Sequence, residues 1–136
     1  MIDNKALDGD LTTIIENKIR LSQLDYSNEE YDTLEEQLHD LEDDFLEKYG
    51  DYLEDALHEV HDEYCPDSDV LLPIAYLPKR INKLEDGYDV DFKEGVYVEV
   101  DDYVGKETKL VLLPKPTRIL LQIDSNQREI VWKADN

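Results

Sequence analysis

The sequence predicts an α+β fold in which N-terminal helices pack on a C-terminal antiparallel β-meander of four to six strands. Apolar residues recur every three or four positions over residues 1–65, which is the period of an α-helix. Over residues 70–134 they tend to alternate with polar residues, as in half-buried strands. The links between the later strands are short, so neighbouring strands must run antiparallel. The length of 136 residues fits one domain with one core.

About three helices are predicted in the first part. Asp10 can cap a first helix over residues 11–22. Ser27 can cap a second helix, and Glu30 three residues later would complete a capping box. The second helix has an apolar stripe with steps of three and four residues, formed by Tyr31, Leu34, Leu38, Leu41, Phe45 and Tyr49.

A third helix is predicted after Gly50, which stands where a left-handed residue would end the second helix. Asp51 is interpreted as the N-cap of this third helix. The helix must end near Cys65, because Pro66 disfavours a helical backbone at the preceding residue. We therefore expect the second and third helices to form an acidic helical hairpin that turns at Gly50.

The β part begins less regularly than it ends. Residues 71–77 are interpreted as an edge strand, because Pro73 has no backbone N–H to donate. Residues 90–92 are interpreted as a short strand after a turn at residues 86–88. The clearer strands are predicted over residues 96–101, 108–113, 118–123 and 129–133. Their turns contain Gly105-Lys106, Pro114-Lys115-Pro116 and the polar residues 124–127.

Charge is concentrated in the predicted hairpin. The chain has 35 acidic and 14 basic residues, a net charge of −21. Residues 27–64 contain 16 acidic residues and only one basic residue, Lys48, which gives −15 and leaves −6 for the rest. Such a surface repels phosphates and anionic lipid headgroups and attracts basic protein segments. We therefore expect a basic protein partner, with no direct binding to nucleic acid or to membranes. A face that serves only solubility is the alternative.

Several classes of site lack their sequence signals. The glycines are scattered, so no phosphate-binding loop is predicted, and no serine lies in a nucleophile elbow. We predict no catalytic residue and no cofactor. The apolar runs are too short to span a bilayer, the N-terminus does not resemble a secretory signal, and Cys65 is the only cysteine. Together these features favour the cytoplasm.

The predicted hairpin would bring possible metal ligands together. His39 and His61 are each eleven residues from Gly50, so an antiparallel hairpin would place them opposite each other. The candidate ligands are Glu35, His39, Glu42, His58, His61 and Cys65. Imidazole, carboxylate and thiolate groups are the ligands that zinc takes. The alternative is a solvated flank in which one histidine is paired and Cys65 is a small buried side chain.

The function hypotheses belong to three classes. The first is a non-enzymatic intracellular interaction or regulatory module whose acidic helical face binds a basic protein, with mimicry of a phosphate array as a special case. The second is metal binding by the residues of the hairpin. The third is an enzyme with a pocket between helices and sheet. Tyr97, Tyr103 and Trp132 are expected either on an exposed sheet face, where they would suit an interface, or in the core. A homodimer is left open.

Overall fold

The computed structural model describes residues 3–85, 87–124 and 127–134. Over these residues it shows two α-helices followed by antiparallel sheets of two and four strands, which confirms the predicted α+β class. The helices are α1 (Asn4–Ser22) and α2 (Glu29–Tyr64). The strands are β1 (Asn82–Leu84), β2 (Gly87–Asp89), β3 (Val96–Val98), β4 (Thr108–Leu113), β5 (Arg118–Ile123) and β6 (Gln127–Lys133). Short 3-10 helices cover Pro73–Tyr76 and Asp101–Tyr103.

Helix α1 begins at Asn4, earlier than predicted. Its N-cap is Asp3, whose carboxylate accepts hydrogen bonds from two backbone N–H groups of the first turn at 3.0 and 3.2 Å. The predicted cap at Asp10 is wrong. Asp10 lies inside the helix, and its carboxylate accepts a hydrogen bond from the Tyr49 hydroxyl at 2.7 Å. The earlier start lets Leu7, which is fully buried, extend the apolar side of α1 by one turn.

Helix α2 is one uninterrupted helix of 36 residues, so the predicted turn at Gly50 is wrong. The reason is that the apolar stripe continues through Gly50 without a change of period. Its buried members at four-residue steps are Phe45, Tyr49, Leu53 and Leu57. The N-cap is Asn28, one residue after the predicted Ser27, and its side chain accepts from the Glu30 N–H at 2.8 Å. The predicted end of the helical part near Cys65 agrees with the structure.

The four-stranded sheet has the order β3-β4-β5-β6, and every neighbouring pair is antiparallel. Strands β4 and β5 have the predicted bounds. β1 and β2 form a separate hairpin. Residues 71–77 do not form a strand, because Pro73 begins a 3-10 helix that buries Tyr76. Residues 90–92 are not a strand either, while Asp86 and residues 125–126 of the predicted turns lie outside the described part of the chain.

One core joins the helical and β parts. Its fully buried members include Leu11 and Ile15 of α1, Leu57 of α2, and Leu110 and Leu121 of the sheet. The last two are directly paired across β4 and β5. A smaller cluster lies on the other side of the sheet and consists of Val90, Val111, Leu113 and Leu120. Both sides of the central strands are therefore covered, which explains their nearly continuous apolar sequence.

The segment between β2 and β3 covers the second side of the sheet. The buried Gln122 side chain donates to the backbone carbonyls of Asp91 and Glu94 at 3.0 and 2.8 Å. Arg128 donates to the Gln122 amide oxygen at 2.7 Å, and its guanidinium lies 4.1 Å from the centroid of the Phe92 ring. These polar contacts hold an otherwise irregular segment in place because they satisfy its carbonyl groups.

Candidate interaction surface on helix α2

Helix α2 buries one side and exposes its charge on the other. At 1.5 Å per residue its 36 residues extend over about 54 Å. The buried side packs on α1, on the 3-10 helix Pro73–Tyr76 and on β6. Fourteen of the sixteen acidic residues of α2 are exposed, and the other two, Glu42 and Glu54, are half-buried. The amphipathic pattern thus places nearly all of the carboxylates in water.

Six exposed carboxylates form an unbroken row on α2 at four-residue spacing. They are Asp43, Glu47, Asp51, Asp55, Glu59 and Glu63, and we call them the acidic row. Successive members are separated by about 6 Å along the helix axis. The row crosses Gly50, so it exists only because α2 is continuous. A hairpin at Gly50 would have split the row into two groups on different helices.

The described residues contain no ion pair that involves a carboxylate of α2. The ion pairs that they contain are Lys83–Glu16 at 2.6 Å, Lys109–Glu107 at 3.2 Å and Arg128–Asp89 at 2.8 Å. Like charges at four-residue spacing on a helix repel by about 0.2–0.5 kcal/mol per pair. The acidic row therefore carries a charge that no cation of the described chain neutralises by direct contact.

The structure keeps the sequence-predicted metal ligands apart. His39 and His58 are exposed on α2, and their 19-residue separation corresponds to about 28 Å along the axis. Glu35 is exposed and Glu42 half-buried near His39, whereas His61 and Cys65 are buried at the far end of the helix. Within the described ranges no three His, Cys, Asp or Glu side chains approach closely enough to hold a metal ion. Because α2 is continuous, the hairpin on which the metal hypothesis was based does not form.

His61 has a structural setting that the sequence did not indicate. Its Nδ1 lies 3.0 Å from the Ser68 carbonyl oxygen, which can only accept, so Nδ1 donates. Its Nε2 then accepts from the Tyr76 hydroxyl at 2.9 Å, and that hydroxyl accepts from the Leu71 N–H at 3.0 Å. Burial raises the pKa of the Tyr76 hydroxyl. This network holds the segment that follows α2 against the helix. It thereby also positions the start of the β part.

Cys65 follows α2 as its C-cap and is fully buried. Burial raises the pKa of its thiol to about 11, so the group stays in the protonated, weakly nucleophilic form at neutral pH. This setting agrees with the interpretation of Cys65 as a small buried side chain.

The three aromatic residues considered for an exposed sheet face have different positions. Tyr97 is 56% exposed and lines a groove beside the connection from β3 to β4. Tyr103 is half-buried, and its hydroxyl donates to a carboxylate oxygen of Glu129 at 3.3 Å. Trp132 packs on the helical side, with its ring 5.9 Å from that of Tyr52. Tyr97 alone of the three is largely exposed.

In the described part of the chain, apolar side chains fill the centre of the interface between the helices and the main sheet. Leu7, Leu11 and Ile15 of α1 belong to the same buried cluster as Leu112 and Ile119 of the sheet. The enzyme hypothesis expected a pocket between these layers, and the structure has there a small cavity of about 110 Å³ near the start of α1, lined by Asn4, Asp8 and Thr117 among others. Fourteen of the sixteen acidic residues of α2, in contrast, are exposed.

No family model, curated protein or solved structure matches this chain. Neither of the helices in the described ranges combines the length and the hydropathy needed to cross a membrane.

Proposed function

We propose that this protein is a non-enzymatic interaction or regulatory module that binds a basic protein through the acidic face of α2. The observation that carries this proposal is the acidic row: six exposed carboxylates from Asp43 to Glu63, regularly spaced and without an ion pair among the described residues. A protein surface that presents lysine or arginine residues would supply the missing opposite charge.

Electrostatics predicts what such a surface contributes to binding. Exposed charges steer encounter and select partners more than they add affinity. The Debye length at physiological salt is about 8 Å, so neighbouring members of the row, separated by about 6 Å, still act together. A partner that covers several members at once experiences their combined field. Binding should therefore be fast and should weaken steeply as salt increases.

Mimicry of a nucleic acid is a special case that the charge spacing favours. Sixteen carboxylates over 36 residues give about one charge per 3.4 Å of helix axis. The phosphates of one strand of B-DNA have about the same axial spacing. A protein whose basic groove follows a phosphate backbone would find a comparable charge density along α2. Such a partner should be displaced by duplex DNA.

The experiment compares two variants with the same change in net charge. The row variant carries Asp43→Asn, Glu47→Gln and Asp55→Asn within the acidic row. The control variant carries Asp67→Asn, Asp69→Asn and Glu85→Gln, which change three exposed carboxylates outside α2.

Each protein is used to capture partners from a cell extract at low and at moderate salt. We expect one or more basic proteins to be retained at low salt by the wild type and by the control variant, but not by the row variant. Equal capture by all three proteins would refute the role of α2, and the absence of any basic protein at low salt would refute the whole proposal. A competing duplex DNA in the same experiment tests the mimicry.

The cytoplasmic location, the single-domain organisation and a homodimer stay predictions, as does the expectation that the protein is not an enzyme.

A further inference from the structure

A groove of about 240 Å³ lies beside the connection between β3 and β4. Tyr97 and Val104, which are 56% and 87% exposed, provide apolar surface, and Tyr103 adds a second aromatic ring. Two acidic residues, Glu99 and Asp101, line the same groove, together with one basic residue, Lys106. The lining thus combines two tyrosines with an excess of negative charge.

The two carboxylates of this groove are free to bind a ligand. Neither the Glu99 nor the Asp101 side chain takes part in an ion pair or a side-chain hydrogen bond within the described ranges. The hydrogen bond made by Glu99 uses its backbone N–H, which donates to the Ser68 hydroxyl at 3.0 Å. Among the described residues the Tyr97 side chain makes no polar contact either, and its ring is largely in water.

The groove adjoins the C-terminal end of the acidic row. Tyr64 follows Glu63, the last member of the row, and burial, followed by the negative charges of Glu63 and Glu129, raises the pKa of its hydroxyl. Glu129 in turn accepts the hydrogen bond of Tyr103, which lines the groove. Burial, followed by the negative charge of Glu129, raises the pKa of the Tyr103 hydroxyl. A partner that follows the acidic row toward Glu63 therefore reaches these tyrosines.

We propose that this groove binds an arginine side chain of the basic partner that docks on the acidic row. A guanidinium is planar and always charged, so it stacks on an aromatic ring and pairs with carboxylates at the same time. An ammonium carries the same charge but is compact and strongly hydrated, so it gains less from the rings. The acidic row attracts any polycation, and the groove selects arginine over lysine. This inference rests on the proposed function.

The test uses two probes of equal charge, octa-arginine and octa-lysine peptides, whose dissociation constants are measured at the same low salt. For Tyr97→Leu we expect octa-arginine binding to weaken about two- to fivefold, the effect of one exposed cation–π contact, with octa-lysine binding nearly unchanged. Tyr97→Phe keeps the ring and should bind both peptides as the wild type does. Lys106→Ala should strengthen the binding of both peptides, because it removes a like charge.

The outcomes separate this inference from the proposed function. An arginine-to-lysine affinity ratio that stays at the wild-type value in Tyr97→Leu overturns the groove assignment. A row variant that binds octa-lysine as tightly as the wild type contradicts the role of the acidic row but leaves the groove assignment standing. If neither peptide binds the wild type at low salt, both proposals fail. Because Tyr97 is exposed, its variants should fold as the wild type does, and circular dichroism checks this.

Discussion

Replacement of Gly50 by alanine is the sharpest test of the long helix. Gly50 lies in the interior of α2 and is buried. A Cβ atom at this position would meet only the Leu46 side chain of the preceding turn, at 3.9 Å, which is an ordinary van der Waals contact. Glycine in a helix interior costs about 0.5–1 kcal/mol relative to alanine. We therefore expect Gly50→Ala to raise the free energy of unfolding by about that amount.

The measurement is urea denaturation followed by the helical signal in circular dichroism, together with thermal melting. For a domain of this size the gain should raise the melting temperature by roughly 2–4 °C. Gly9→Ala is the matched positive control, because Gly9 lies in α1 and an added Cβ would meet nothing outside the local helix backbone within 4 Å. Gly95→Ala is the opposite control, since its φ is +111° and a Cβ would lie 2.5 Å from the Leu110 carbonyl oxygen.

The result that would refute the reasoning is a loss of stability in Gly50→Ala while Gly9→Ala gains. A left-handed residue at a turn tolerates glycine and penalises alanine by about 1 kcal/mol or more. That outcome would favour the hairpin and would also remove the continuous acidic row.

Three further predictions concern stability. Tyr76→Phe should cost about 1–3 kcal/mol in urea denaturation, because it leaves the buried Nε2 of His61 without a hydrogen-bond partner, whereas Tyr97→Phe at the surface should change stability by less than about 0.5 kcal/mol. Burial and the Asp10 carboxylate raise the pKa of Tyr49 to about 12, and burial raises that of Cys65 to about 11. Since the unfolded chain loses both protons first, the stability that these two groups contribute should be constant below about pH 9. It should then fall by about 1.4 kcal/mol per pH unit, from pH 9 to 11 for Cys65 and from pH 10 to 12 for Tyr49; a flat profile between pH 9 and 11 would contradict these settings. Moderate salt should raise the melting temperature of the wild type more than that of the row variant, and equal increases would mean that the row is not under repulsion.

The strand bounds were predictable where the local sequence and the tertiary packing agree. β4 and β5 have consecutive apolar residues, and Pro114 and Pro116 separate them, so neither strand has an alternative boundary. Residues 71–77 have a similar apolar composition. Their conformation depends instead on the hydrogen bond from the Tyr76 hydroxyl to His61, fifteen residues earlier in the chain. No local pattern carries that information.

The error at Gly50 has a different origin. A glycine followed by an aspartate resembles the end of one helix and the cap of the next. The period of the apolar residues carried the correct signal, because Tyr49 and Leu53 are one four-residue step apart on either side of the glycine. Packing of the residues on both sides of Gly50, together with the hydrogen bond from Tyr49 to Asp10, outweighs the cost of one glycine in the helix. The acidic composition of the candidate surface was predicted correctly, whereas its continuous geometry was not, although the apolar period across Gly50 indicates it.

The buried and the charged sides of α2 belong to the same helix. Binding of a ligand to the charged side is therefore coupled to the stability of the fold. A ligand that binds only the native helix adds stability by mass action, about 2.7 kcal/mol at a hundredfold excess over its dissociation constant. If the proposed partner binds α2, the unbound protein is the form that opens more often and that proteases reach first. Abundance in the cell would follow the supply of the partner without any dedicated regulatory site.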